Sequence, residues 1–289
     1  MPSDVALPLE VMPASGARLG ESPFWDRGEC LWWVDITGRK LIRTNIETRV
    51  TEVWPTPEIP GFVVLAGPEQ PFVGMERGIY SFSPASGLFE RIVPFDGAGE
   101  RFNDATIDEA GRLWASTLSI DNTSGRAAIH RVTADFHLAT VANGFTTPNG
   151  LAADPVSGRI FFSDSHPSVQ TIWTAPCDFT SGTLGDRAVF ASMHHLRGRP
   201  DGAALAKDAG FYWIAGVDGG ALYGFAMDGT LAQTIALPFP APTKLALLSG
   251  RIAVTAKAEG GYGGELVIAH DVPRSLRGEP IPFWRPGAS

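Results

Sequence analysis

Four side chains that offer oxygen donors, Glu21, Asn103, Asn149 and Asp201, recur at one phase along this chain of 289 residues. Each precedes a strongly apolar run by a nearly constant interval: ten residues from Glu21 to Leu31, ten from Asn103 to Leu113, eleven from Asn149 to Ile160 and ten from Asp201 to Phe211. Carboxylates and amides gathered at one place raise one another's pKa unless a cation neutralises them. A divalent ion is the simplest resolution. The Glu21 and Asp201 carboxylates and the Asn149 amide oxygen, with Asn103 as a possible fourth ligand, form an all-oxygen set. Ca²⁺, Mg²⁺ and Mn²⁺ match such a set best, and Zn²⁺ and Fe²⁺ are compatible with it. No Cys or His cluster has zinc-finger spacing, and the adjacent His194 and His195 read as loop residues.

Each residue taken alone has a plainer explanation. Pro148-Asn149-Gly150 and Pro200-Asp201-Gly202 have the composition of ordinary turns, because Asn, Asp and Gly tolerate positive φ and Pro fixes a bend. Most glutamates are solvated surface residues. Turn chemistry gives no reason for the shared phase, however, and the phase is what singles these residues out. Arg101, two residues before Asn103, faces the same way on an extended segment and is suited to hold hydroxyl or carbonyl oxygens of a polar ligand. Its alternative role is a salt bridge to Glu100 or another surface acid. Asp121, in the loop Ser119-Ile120-Asp121-Asn122, is placed to reach over the same site, or else to serve as a plain loop aspartate.

The elements that must position these residues are strands. The chain holds 33 Gly, 23 Pro, 8 Trp and 17 Phe, and no helical periodicity of useful length. Apolar runs beside Gly-rich turns fall at 31–36, 72–75, 113–117, 160–163, 211–215 and 252–255. A second alternating hairpin follows each, at 41–53, 79–93, 128–141, 172–190, 222–237 and from Leu266 to the end. A repeat of roughly 40 to 50 residues carrying about four short strands is the signature of a propeller blade. The expected architecture is all-β: one six-bladed β-propeller domain over residues 1–289, with four-stranded antiparallel blades around a central channel. The segment from Leu9 to Ala14 is expected to supply the outer strand of the last blade and close the ring. Equal phase then means equal place in each blade, so the four oxygen-bearing residues meet at one mouth of the channel. Blades two and six, with Gly61-Phe62 and Pro242-Thr243 at the matching positions, break the pattern and make the cluster one-sided.

Composition narrows the function. A formal charge of −8 with no basic run argues against nucleic acid or an anionic membrane as partner. No apolar run approaches the roughly 18 residues that a spanning helix needs, and the N-terminal segment has no export-signal pattern, so a cytoplasmic protein is expected. Cys30 and Cys177 lie in different repeats and read as free thiols. The absence of a Gly-x-Ser-x-Gly elbow, a Walker loop and a dinucleotide fingerprint excludes covalent serine catalysis and nucleotide cofactors by those motifs.

Four motifs in order, Leu-Gly-Glu-Ser-Pro at 19–23, Arg-Phe-Asn-Asp at 101–104, Pro-Asn-Gly-Leu-Ala at 148–152 and Pro-Asp-Gly-Ala-Ala at 200–204, resemble those of the SMP-30/gluconolactonase family. That family includes regucalcin, sugar lactonases and, more distantly, a phosphotriesterase. The resemblance implies that Glu21, Asn149 and Asp201 bind one divalent cation, and that Arg101, Asn103 and the loop acid Asp121 contact a sugar lactone. It further implies metal-dependent hydrolysis of an aldonolactone to the aldonic acid, with Asp201 as candidate general base, by a monomer or small homo-oligomer. Metal-dependent phosphotriester hydrolysis and a non-catalytic calcium-binding propeller are the competing expectations. The loop acid is Asp where Glu is common, and the sixth blade departs from the family pattern, which makes Lys244 and Lys257 candidate contacts particular to this chain.

Overall fold

The computed structural model describes residues 3–4, 7–13, 15–123 and 125–287. Six sheets, antiparallel except where Ser3–Asp4 adds a parallel strand beside Leu231–Ala236, stand around a central axis as a six-bladed β-propeller. The innermost strands, in blade order, are Gly20–Trp25, Phe62–Leu65, Glu100–Ile107, Pro148–Asp154, Arg199–Ala206 and Pro242–Leu248. Each pairs with the apolar strand that follows it, and contacts between successive innermost strands run from blade to blade until the sixth meets the first.

The sequence enforces this layout through alternation and through closed hairpin turns. The second strands Cys30–Asp35, Leu113–Ser119 and Phe211–Val217 are almost wholly buried, because both their faces pack against neighbouring blades. Fully buried Trp32, Trp33, Trp114 and Trp213 fill the wedge-shaped spaces between sheets. An aspartate closes several of the inner hairpins. Asp26 Oδ1 accepts from the Gly28 and Cys30 amides, Asp108 Oδ1 from Arg112 and Asp154 Oδ1 from Val156.

The ring closes as expected. Leu9–Val11 pairs antiparallel with Leu266–Ala269 as the outermost strand of blade six, and the Met12 amide continues the ladder to Leu266. Ala14, the expected end of that strand, lies outside the described residues. Thr243 adds a second seam, its hydroxyl donating to Gly20 O at 2.6 Å.

One expectation is corrected. The chain after Leu266 forms a single strand ending at Ala269, followed by a 3₁₀ turn at Arg274–Leu276 and an irregular segment, rather than a hairpin. Pro273, Pro280, Pro282 and Pro286 lack amide donors, so this stretch cannot extend a ladder. It crosses the ring instead: the Trp284 amide bonds to Leu65 O and that of Arg285 to Gly111 O, and the Trp284 ring is buried among blade-two and blade-three residues. Glu279 to Pro282 lie against the far ends of the inner strands, where Phe24, Ile107, Ala153, Leu205 and Leu247 make an apolar lining.

Candidate functional site

Five of the six innermost strands contain one extra residue relative to their partners, at the same level. The register shifts fall between Glu21 and Phe24, Phe102 and Ala105, Asn149 and Ala152, Pro200 and Ala203, and Pro242 and Lys244. Blade two, Phe62–Leu65, pairs without a shift. A bulge bends its strand and re-aims side chains that would otherwise alternate. Here it allows consecutive residues, such as Asn103 and Asp104, both to be buried near the axis. Pro148-Asn149-Gly150 and Pro200-Asp201-Gly202 are therefore not turns: both lie inside innermost strands. Their glycines meet two different demands. Gly150 takes φ +63°, while a Cβ at Gly202 would stand 2.4 Å from the Lys244 stem.

The expected residues come together at this level. Asn103 donates through Nδ2 to Asn149 Oδ1 at 3.1 Å and to Pro148 O at 3.0 Å, linking blades three and four. Arg101 Nη1 donates to Asn103 Oδ1 at 3.0 Å and to Phe102 O at 2.7 Å, as the shared facing of residues 101 and 103 predicts. Glu100, its expected alternative partner, pairs with Arg126 instead. Glu21 is buried, and its Oε2 accepts from the Ser22 amide at 2.7 Å.

Electrostatics marks the same cluster. Burial first, then the Asp104 charge, pushes the Glu21 carboxyl up to about 7, against the pull of Lys244. Burial, then the neighbouring Glu21 and Asp104 charges, pushes Asp201 well above the usual carboxylate range. Burial lowers the Arg101 guanidinium to about 10 although Glu21, Glu76 and Asp201 oppose it. Acids and a base perturbed together in this way make the cluster a candidate functional site.

Sequence reasoning passed over Asp104. Its Oδ2 accepts from the Leu151 amide at 2.9 Å and its Oδ1 from Ala105 at 2.8 Å, and it is ion-paired with Lys244 from the opposite blade. The available signal was its place directly after Asn103 in the Arg-Phe-Asn-Asp motif. Blade six is thus not blank: it carries a bulge at Thr243 and delivers Lys244 to the axis.

The remaining candidates sit farther out. Asp121 is exposed, and its Oδ1 accepts from Ser119 Oγ at 2.5 Å and from the Thr123 amide at 3.2 Å, bonds that hold its carboxyl below the usual range. Lys257 bonds to Asp218 at 2.9 Å and to Glu259 at 2.8 Å, and Asp218 also takes Arg199 Nη2 at 2.6 Å. His194 and His195 are exposed loop residues, as read from sequence. Both cysteines are free.

The donor set fits a hard divalent cation. The Glu21 charge raises the proton affinity of Asp201, burial and Asp104 raise that of Glu21, and the Asn149 amide oxygen makes the set all-oxygen. Among the described residues no three His, Cys, Asp or Glu side chains converge as a metal-ligand group.

Comparison with known proteins places these features in context. The profile of the SMP-30/Gluconolactonase/LRE-like region matches residues 19–255. A 6-deoxy-6-sulfogluconolactonase from Pseudomonas putida is 32% identical over 232 residues, covering 79% of this chain and 78% of its own. A pentonolactonase from Haloferax volcanii is 28% identical over 257 residues, covering 87% and 86%. Among solved structures, a calcium-binding regucalcin from Agrobacterium tumefaciens superposes with a TM-score of 0.90 at 20% identity, over 99% of this chain and 100% of that one. At that identity the likeness concerns the fold.

Proposed function

We propose, for a chain that belongs to the SMP-30/gluconolactonase/LRE-like family, that it hydrolyses a sugar lactone to the corresponding aldonic acid. The observation that carries the reading is the Glu21–Asn149–Asp201 cluster with Arg101 and Asn103 directly beside it. The relatives named as sugar lactonases support the substrate class.

Glu21, Asn149 and Asp201 would hold one divalent cation, which when bound supplies Lewis acidity toward a carbonyl oxygen. Everything else falls to the side chains of the protein. Arg101, clamped by Phe102 O and Asn103 Oδ1, presents its remaining guanidinium donors to substrate hydroxyl oxygens. Asn103 is the second polar contact, and Asp121 is the candidate contact at the rim. Asp201, whose proton affinity is raised by burial and by Glu21, takes the proton of the water that attacks the lactone carbonyl carbon. The ring C–O bond then breaks, Asp201 returns that proton to the departing ring oxygen, and the acid product releases its own proton to solvent. Burial of the cluster strengthens each of these interactions relative to open water.

A second reading is a calcium-binding propeller without turnover, its calcium binding suggested by the solved regucalcin described as a calcium-binding protein. One experiment separates the two. Chelated protein is reloaded with Ca²⁺, Mg²⁺, Mn²⁺, Zn²⁺ or Fe²⁺ in turn, and pH-stat hydrolysis is followed on a panel of aldonolactones beside a neutral phosphotriester. The proposal expects ion-dependent opening of at least one lactone well above the spontaneous rate. Ion binding without turnover on any lactone supports the calcium-binding reading, and turnover confined to the phosphotriester assigns a different hydrolase.

A further inference from the structure

An ammonium group on the axis of the propeller has no place in the reaction described above. Lys244 is 2% exposed and Asp104 3%, and the two form a salt bridge from blade six to blade three. Such a pair loses its hydration on burial, so its geometry has to supply compensating contacts. It does so with oxygen. Lys244 Nζ takes Asp104 Oδ1 and, at 3.1 Å, Ala105 O. The stem runs across Gly202, where any Cβ would collide with it.

The Asp104 carboxylate is the hub of the innermost strands. One oxygen serves Lys244 and the Ala105 amide, and the other accepts from Leu151, within the bulge that presents Asn149. Gly150 O in the same bulge is fixed by Tyr212 Oη of blade five at 2.7 Å. Removing the ammonium leaves Asp104 as a buried charge without its counter-charge, at the point where blades three, four and five meet.

We propose that Lys244 is a positioning residue whose ammonium acts as a resident monovalent cation, seated on oxygens beside the Glu21–Asn149–Asp201 cluster and holding Asp104 as the clamp of the Asn149 bulge. The seat is selective for charge and size, not merely for filled volume.

The test uses Lys244→Ala, which empties the seat, and Lys244→Met, which fills it without charge, each melted in methylammonium chloride and in tetramethylammonium chloride at equal ionic strength. For Lys244→Ala, methylammonium raises Tm by about 3 °C or more over the larger ion, because a ligand that binds only the folded state stabilises it. Native protein and Lys244→Met show no such difference, and Lys244→Met melts well below native. Ca²⁺ titration provides the readout that a space-filling role would not move. The Ca²⁺ affinity of Lys244→Ala departs from native by about tenfold or more in tetramethylammonium and returns to within about threefold in methylammonium. If Lys244→Ala does not fold in tetramethylammonium, its refolding yield in methylammonium is the same test. A Lys244→Met protein that melts and binds Ca²⁺ like native, or a Lys244→Ala protein indifferent to methylammonium, overturns the inference. The Ca²⁺ arm rests on the cluster reading, whereas the melting arm does not: native protein that binds neither Ca²⁺ nor any of Mg²⁺, Mn²⁺, Zn²⁺ and Fe²⁺ sinks that ligand set and leaves the seat to be judged by Tm.

Discussion

The inner strands of blades two and four occupy equivalent places in the ring and are built for opposite purposes. Phe62–Leu65 is four buried apolar residues in unbroken register, while Pro148–Asp154 contains an extra residue and carries an amide toward the axis. The difference is one inserted residue and its consequence. Regular pairing sends alternate side chains to opposite faces, which suits packing; a bulge sacrifices part of the ladder and re-aims a polar group. Gly61, just ahead of the unbulged strand, serves the neighbouring blade: a Cβ there would stand 2.0 Å from Phe102 O, at the base of the blade-three bulge. Chemistry is concentrated where the sheet is irregular, and stability where it is regular.

Substitutions sharpen this contrast. The largest effect on activity is expected from Asp201→Ala, which removes a ligand and the proposed proton acceptor together: lactone turnover should fall by on the order of 10³-fold or more, with Tm near native, as read by pH-stat and calorimetry. Leu65→Ala in the regular strand should do the reverse, costing about 2–5 kcal/mol of stability while kcat/KM of the remaining folded protein stays native. A matched loss of activity in the folded fraction would erase the distinction between the two kinds of strand.

Arg101→Lys comes next. An ammonium cannot reproduce the guanidinium fork that bonds Phe102 O and Asn103 Oδ1 while leaving donors for a ligand. KM should rise by roughly tenfold to a hundredfold with ion affinity nearly unchanged, as measured by steady-state kinetics and ion titration.

The pH dependence follows from Glu21. With its folded pKa raised to about 7 in the ion-free protein, Glu21 contributes stability that is present below its unfolded value of about 4.3 and is lost as pH rises through 7. A cation competes with that proton. Ion affinity should therefore increase as pH rises through about 7, and ion binding at pH 6 should release protons, which titration in buffers of different ionisation enthalpy detects. Affinity that is flat from pH 5.5 to 8 would remove Glu21 from the ligand set. The smallest effect is expected from Asp121→Asn. An exposed carboxylate already bonded to Ser119 and Thr123 should change KM by about threefold or less.

Much of this molecule is legible in its sequence because a repeat makes distant positions equivalent. The spacing from Glu21 to Leu31 and from Asp201 to Phe211 suffices to place both acids at one level of one channel, and the gap in blade six sends Leu9–Val11 to close the ring. The bulges are hidden because a single extra residue looks the same as a variable turn, which is why Pro-Asn-Gly and Pro-Asp-Gly have turn composition. Lys244 directly precedes the apolar run Leu245 to Leu248, and its partner lies 140 residues away on the opposite blade. The segment after Ala269 carries alternating apolar residues, but its prolines remove the amides a strand requires.

The account depends on three oxygens from blades one, four and five sharing one ion. Equilibrium dialysis of chelated protein against Ca²⁺ or Mn²⁺ tests this most directly, comparing native protein with the folded Glu21→Gln/Asp201→Asn double variant. One ion per chain for the native protein and none for the variant is the expected result. An ion that stays bound after both carboxylates are gone would contradict it.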